Sequence, residues 1–325
     1  MWTISTIGQS WGPIFGRETE NFFISEKIGD ESRYVVDGCR RRLGMLEGLK
    51  GPNAEYFRRL ENFCIAFYEA QAKYEKSVDA FSRGEFDMAR KAIAEAKPEE
   101  AVKLYASLAS GNLTKGEKGV LISLNTKWLV YFHQMRQTLG MEHVRVKFGE
   151  TKHEPLAQMP GAYTYYMDGK GEMWRTLGTA ETGAERTFSA PSVPEEIGRD
   201  GVASGKGFRA IVGPMGKEKE KLGSLQPGKY TLRVLVSNPD ATAENERVFK
   251  VAADTGAGVV VDAFKVTGGP NKLGEVEIPV VLKKQGRLTV GFEPVKGEIA
   301  VAGLVLKKLA GARGSDMIGG VGVVE

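Results

Sequence analysis

The stretch GEVEIPVVLKKQGRLTVGF, residues 274–292, decides the fold of the C-terminal half of the chain. On both sides of the turn 283–286, apolar residues alternate with polar ones, which is typical of strands with one buried face. Pro279 has no backbone N–H for a β-ladder, so the first strand is predicted at a sheet edge or a bulge. The stretch therefore predicts a strand, a tight turn and a second strand.

The same period of two extends over the rest of the C-terminal half. It begins just after His143, and a hairpin is predicted over 162–177, followed by a looser stretch over 178–204. Further strands are predicted over 207–212, 229–236, 247–252, 259–266, 275–282, 287–292 and 298–309. About eight short strands at roughly 8–12-residue spacing, with no helical pattern between them, favour a two-sheet antiparallel β-sandwich.

The N-terminal half has helical periodicity instead. Its clearest helix is predicted over 53–81, where bulky apolar residues recur in steps of three and four. These residues are Tyr56, Leu60, Phe63, Phe67, Ala70, Tyr74, Val78 and Phe81. Other helices are predicted over 30–50, 86–96, 98–109 and 114–140. About five helices with apolar faces indicate a small helical bundle.

Glycine and proline separate the two halves. Residues 151–325 contain 27 of the 41 glycines and ten of the 13 prolines. Helical periodicity ends at Gly140 and strand alternation begins by Val144, so the passage between them is short. The predicted class is α+β with two domains. The predicted parts are an N-terminal extension (1–30), a helical bundle (31–141), an antiparallel β-sandwich that includes the hairpin (142–309) and a disordered tail (310–325).

Composition excludes several classes of protein. The 45 Lys and Arg residues against 41 Asp and Glu leave a formal charge of +4, too small a bias to indicate nucleic acid. No stretch approaches the roughly 18 apolar residues that span a bilayer, and residues 1–30 lack the pattern of a signal peptide. Cys39 and Cys64 allow at most one disulfide. We expect an extracellular or periplasmic location if the chain belongs to a larger secreted enzyme, and a cytoplasmic one otherwise.

Motifs for metal binding and for common catalytic reactions are missing from the sequence. His133, His143 and His153 are evenly spaced, but they fall in a predicted helix, just beyond its end and in a loop, with no HExxH-type pair. No GxSxG, P-loop or Cys-X-X-Cys motif occurs. We therefore expect neither a metal site nor a cofactor.

The predicted strands resemble a known group of modules. QPGKYTLRV (226–234), RVFKV (247–251), VEIPV to GRLTV (276–290) and IAVAGLVL (299–306) resemble the malectin-like and related carbohydrate-binding jelly rolls. Such modules accompany glycoside hydrolases. LISLNTKW (121–128) is similar to helical domains that follow the catalytic barrel of large multidomain glycosidases. The resemblance implies a jelly-roll sandwich and a role in polysaccharide degradation.

Aromatic residues of the predicted hairpin are the candidate sugar site. Sugars stack their C–H faces on aromatic rings, while polar side chains bind their hydroxyl groups. The residues predicted to bind carbohydrate are Tyr165, Tyr166, Asp168, Trp174 and Arg175. The alternative is that the hairpin docks on the helical domain and its aromatics form an interdomain core, since large aromatics are usually buried.

Three hypotheses about function follow. The first is a non-catalytic carbohydrate-binding or accessory region of a polysaccharide-degrading glycoside hydrolase; the opening MWTISTIGQSW suggests the C-terminal part of a larger enzyme. The second is a structural or assembly module that supports a catalytic domain or partner subunit without binding sugar. The third is a glycosidase with a carboxylate pair at the interdomain cleft.

Because no barrel pattern is present, we expect the chain not to be an enzyme on its own. The expected partners are a glycan or polysaccharide and a catalytic domain or subunit, with no nucleic acid and no membrane.

Overall fold

A computed structural model of the chain describes residues 28–108, 120–121, 124–149, 165–168, 172–213, 224–254, 256 and 258–309. The protein belongs to the α+β class and divides into two compact units, residues 1–136 and 137–325. Residues 1–27 of the predicted extension and the predicted tail 310–325 lie outside the described residues. The finer predicted domain boundaries remain predictions.

The first unit is built from helices. They are α1 (Ile28–Met45), α2 (Pro52–Ser82), α3 (Phe86–Ala94), α4 (Pro98–Leu108) and, after a π-helical turn at Leu124–Trp128, α5 (Leu129–Thr138). The prediction of a helix over 53–81 is confirmed by α2, which has Pro52 in its first turn and ends just before Gly84, a residue with φ of 79°. The π-helical turn was not predicted, because periodicity alone does not separate a π-helix from an α-helix.

The long helix α2 carries the aromatic core of this unit. The Phe67 ring stacks on Trp128 with centroids 4.6 Å apart, and Trp128 meets Phe132 edge to face at 4.8 Å. The Trp128 indole N–H donates to the side-chain oxygen of the buried Gln71 at 2.9 Å. A buried indole N–H therefore has an acceptor inside the same core, as a buried polar group requires.

The second unit contains all twelve strands of the described chain, two short α-helices and a 3₁₀ helix at Glu196–Gly198. In chain order the strands and α-helices are β1 (Val144–Phe148), β2 (Tyr165–Met167), β3 (Met173–Leu177), α6 (Thr179–Thr182), β4 (Arg186–Ser189), β5 (Asp200–Ser204), β6 (Phe208–Val212), β7 (Gly228–Asn238), β8 (Val248–Ala253), β9 (Gly258–Asp262), α7 (Ala263–Thr267), β10 (Lys272–Leu282), β11 (Leu288–Lys296) and β12 (Ile299–Lys308).

These strands form two sheets. The larger has eight strands in the order β10-β7-β12-β1-β3-β2, with β5 also paired to β12 and β4 paired to β5. The smaller has the order β6-β11-β8-β9. Because β1 and β3 run parallel, the larger sheet is mixed, and the prediction of purely antiparallel pairing is wrong at this pair. Residues 149–172 connect the two strands, and a connection of that length allows parallel pairing.

Three local predictions can be compared with the strands. The strand interrupted by Pro279 is β10, which among the described strands pairs with β7 alone at the edge of the larger sheet, so of the two predicted alternatives, edge or bulge, the edge is confirmed. The turn 283–286 passes from one sheet to the other, because β11 belongs to the smaller sheet. The predicted strand 259–266 ends at Asp262, whose side chain accepts the N–H groups of Phe264 and Lys265 and starts α7. The looser stretch 178–204 contains α6, β4 and β5.

Both sheets contribute side chains to one hydrophobic core. Phe148 from the larger sheet lies 6.3 Å from Phe208 and 6.1 Å from Phe292, both in the smaller sheet. Phe208 and Phe292 stack on each other with centroids 4.6 Å apart. All three side chains are buried. The residues that alternate with these core residues along each strand therefore point away from the core.

Truncation of Phe292 tests this shared core. We expect Phe292→Ala to lower the free energy of unfolding by about 3–5 kcal/mol, because it removes contacts to both sheets and leaves a cavity. Val295→Ala is the matched control on the same strand, since Val295 is 63% exposed; its effect should stay within about 0.5 kcal/mol. Urea unfolding of the full chain measures both. A Phe292→Ala loss no larger than that of the control contradicts the shared core.

Candidate functional site

The face of the larger sheet that points away from the core collects polar side chains from strands far apart in sequence. Its register pairs Glu277 with Arg233, Arg233 with Val305 and Val305 with Arg145. The parallel pairing of β1 and β3 sets Trp174 beside Arg145. Residues directly opposite each other on neighbouring strands share a face. We call this surface the outer face and define it by His143, Arg145, Asp168, Glu172, Trp174, Arg233, Glu275 and Glu277.

Two of the predicted site residues are joined by a hydrogen bond on this face. The Trp174 indole N–H donates to Asp168 Oδ2 at 2.9 Å. Asp168 Oδ1 accepts the backbone N–H of Glu172 at 2.8 Å, and the Asp168 N–H donates to the Glu172 carbonyl at 3.0 Å. One carboxylate thus accepts hydrogen bonds from both the Glu172 backbone and the Trp174 indole ring.

The Trp174 ring is almost enclosed. Trp174 is only 5% exposed, and its ring packs in a small cluster with Leu235, Ala302 and Val305. A ring buried to this degree offers little surface for stacking on a sugar. Trp174 therefore packs beneath the polar side chains of the outer face and leaves little of its ring accessible to a ligand.

The remaining predicted residues are separated from this pair or lie outside the described part. Arg175 alternates with Trp174 and occupies the opposite face of β3, where its guanidinium donates to the Ile211 carbonyl at 3.4 Å. The β2 backbone pairs Tyr165 with Arg175 and Tyr166 with Trp174. The side chains of both tyrosines lie outside the described residues. The carbohydrate-binding assignment of all five residues remains a prediction.

Ion pairs that sequence reasoning missed connect the outer face across strands. The Arg145 guanidinium binds the Glu172 carboxylate at 2.5 Å. Arg233 Nε donates to Glu275 Oε2 at 2.9 Å. The Glu277 carboxylate lies 4.0 Å from the same Arg233 nitrogen. The only sequence signal is that these charged residues alternate with apolar ones. Their pairing depends on strand order, which alternation does not reveal.

Solvent exposure increases toward the β7–β10 side of the outer face. The side chains of Arg233 and Glu275 are 35% and 41% exposed, and that of Glu277 is 68% exposed. On β1, by contrast, Lys147 is buried and pairs with Asp200. A ligand approaching from solvent would therefore meet Arg233 and its two glutamates first.

The electrostatics of the outer face act on His143. Burial, together with the nearby charges of Arg145, Lys307 and Arg233, lowers the pKa of this imidazole; Glu172 opposes the shift. The neutral imidazole is therefore favoured in the folded chain. It can both donate and accept hydrogen bonds, as a hydroxyl-bearing ligand requires.

Carboxyl groups with clearly shifted pKa values do not resemble a glycosidase acid. Backbone N–H groups of Thr242 and Ala243 lower the pKa of Glu246, and that of Gly205 lowers the pKa of Glu185. A general acid that protonates a glycosidic oxygen needs a raised pKa instead.

In the described part of the chain, no group of three or more His, Cys, Asp or Glu side chains is arranged to hold a metal ion. Of the three histidines, His153 lies outside the described residues.

None of the described helices combines the length and the apolar composition that crossing a bilayer requires.

Comparison with known proteins gives only distant likenesses. No known family and no curated protein matches the sequence. A crystal structure of the plant receptor-like kinase ANX2 is 13% identical, with 52% of this chain and 48% of that chain covered and a TM-score of 0.37. The ANX1 ectodomain from Arabidopsis thaliana has the same identity and coverage and a TM-score of 0.38. Bacteroides uniformis beta-glucuronidase 2 is 11% identical over 52% of this chain and 18% of that chain, with a TM-score of 0.34.

The matched regions are partial on both sides. This chain spans about half the length of the receptor-kinase structures and under a fifth of the glucuronidase.

Titration of His143 tests the electrostatics of the outer face. We expect its pKa, followed by NMR of the imidazole protons, to lie below about 6.5 and to rise in Lys307→Gln, because that variant removes a nearby positive charge. Since the folded-state pKa is lowered, the stability contributed by neutral His143 is present above about pH 6.5 and is lost as pH falls through the folded-state value. His143→Gln should abolish this part of the pH dependence. Lys250→Gln, on the smaller sheet, is the control; an equal rise there would contradict the assignment.

Proposed function

We propose that this chain is a non-catalytic carbohydrate-binding or accessory region, and that its two sheets form a jelly-roll sandwich whose outer face contacts a glycan. The observation that carries the proposal is the register of the larger sheet. It brings Arg145, Arg233 and Glu277 into one row with Trp174, and it sets Asp168 and Glu172 beside that row.

The chemistry of this row suits a polyhydroxylated ligand. Guanidinium groups donate and carboxylates accept, so neighbouring Arg and Glu side chains can bind both ends of a vicinal diol. Arg233 and Glu275 are partly exposed, and exposed ion pairs contribute little to stability, so a ligand can replace water around them at small cost.

A second candidate function is support of a catalytic domain or partner subunit without sugar binding. The burial of Trp174 and its hydrogen bond to Asp168 favour it, because these features stabilise the sheet and leave little aromatic surface for stacking. In this case the charged outer face would meet another protein surface.

Retention of the full chain on polysaccharide affinity gels, together with a glycan array, tests the proposal. We expect the wild type to be retained on at least one glycan and Arg233→Gln to weaken binding roughly tenfold to a hundredfold, as removal of a charged hydrogen-bonding group does. Arg209→Gln is the matched control, since Arg209 is an exposed arginine on the smaller sheet. Its binding should equal that of the wild type.

The outcomes separate the two candidate functions. Absence of wild-type retention on every glycan tested overturns the binding proposal and favours the supporting role. An equal loss of glycan binding in Arg233→Gln and Arg209→Gln would indicate that the glycan does not bind on the outer face.

A further inference from the structure

Helices α1 and α2 bring two thiols together inside the first unit. Cys39 on α1 and Cys64 on α2 are both buried and are not joined by a disulfide. Each cysteine has a charged residue three positions away on its own helix, Arg42 and Glu61 respectively, and residues at that spacing lie side by side on a helix. The four side chains form one cluster across the two helices.

Hydrogen bonds from Arg42 join three members of this cluster. The Arg42 guanidinium binds Glu61 through two bonds, 2.6 Å from Nε to Oε1 and 2.8 Å from Nη2 to Oε2. The same Nη2 donates to Cys39 Sγ at 3.2 Å. Cys64 lies one helical turn from Glu61 on α2, close enough to Cys39 for the two thiols to affect each other's protonation. The Arg42–Glu61 ion pair thus holds both cysteines where α1 packs on α2, beside a fixed positive charge.

This arrangement gives the two thiols different roles. The neighbouring Cys64 thiol and burial raise the pKa of Cys39, which keeps its proton. The neighbouring Cys39 thiol lowers the pKa of Cys64, and the charge of Arg42 acts in the same direction. The thiolate is the nucleophilic form of cysteine, so Cys64 is the attacking group and Cys39 the resolving one.

We propose that Cys39 and Cys64 form a hydroperoxide-sensitive dithiol that closes into a disulfide between α1 and α2. The Cys64 thiolate attacks one peroxide oxygen, the O–O bond breaks, and hydroxide leaves, so Cys64 becomes a sulfenic acid. Cys39 then gives up its proton and attacks Cys64 Sγ, the S–O bond breaks, and water leaves. The two thiols are oxidised, and one molecule of hydrogen peroxide is reduced to two of water, because the proton lost when the Cys64 thiolate formed neutralises the leaving hydroxide.

The burial of the cluster decides the class of oxidant. Cys39 is 0% and Cys64 is 2% exposed, so a bulky disulfide such as oxidised glutathione cannot align with either sulfur in the folded chain. Hydrogen peroxide is small enough to reach the cluster through local fluctuation beside Arg42, whose side chain is 43% exposed. The cross-link would join the first described helix to the central helix of the unit.

Treatment of the folded full chain with hydrogen peroxide tests the proposal. We expect a mass loss of about 2 Da and a cross-linked peptide containing Cys39 and Cys64. Arg42→Gln should slow the cross-linking roughly tenfold, because the positive charge beside the sulfurs is removed. Arg40→Gln is the matched control: Arg40 also lies on α1, but its ion-pair partners are Glu69 of α2 and Asp37. Its cross-linking rate should equal that of the wild type.

Cys39→Ser provides a second test that does not depend on how Arg42→Gln folds. Without the resolving thiol, Cys64 should stop at the sulfenic acid, a gain of about 16 Da that a dimedone-type reagent traps. The proposal is overturned if both thiols survive peroxide and react only after denaturation. It is also overturned if Arg42→Gln and Arg40→Gln, both shown to be folded by circular dichroism, cross-link at the same rate.

Discussion

The contact of Phe148 with Phe208 and Phe292 is the interaction on which the second unit depends. Phe148 ends β1 inside the larger sheet, whereas its two partners belong to the smaller sheet. Edge-to-face and stacked aromatic contacts add to the burial of their large apolar surfaces. Once these rings face one another, the inner side of each strand is fixed, because side chains alternate strictly across a sheet.

The outer face follows from that constraint. With Val144, Val146 and Phe148 in the core, Arg145 must point outward, and the register then sets Arg233 and Trp174 in the same row. Three strands separated by many residues thereby form one polar surface. The partly exposed pair of Arg233 and Glu275 on it contributes little to stability.

Polar groups inside the first unit obey a different requirement. Trp128 has Gln71 as its acceptor, and Glu61 has Arg42 as its partner, because a buried polar atom without a partner is costly. Arg42 also donates to Cys39, so this thiol lies beside a charged pair inside the helical core.

The sequence by itself determined the elements: α2 almost to the residue, the edge position of Pro279 and the change from helix to strand near residue 140. Local periodicity reports which side of a helix or strand is buried, and that needs no knowledge of distant residues. Only the tertiary structure decided the parallel pairing of β1 with β3 and the passage of the 283–286 turn between sheets. It also decided that Trp174 is enclosed, that Arg145 and Arg233 share a face, and that Cys39 meets Cys64. Each of these depends on contacts between residues far apart in the chain, and strand alternation is the same whichever partner a strand finds.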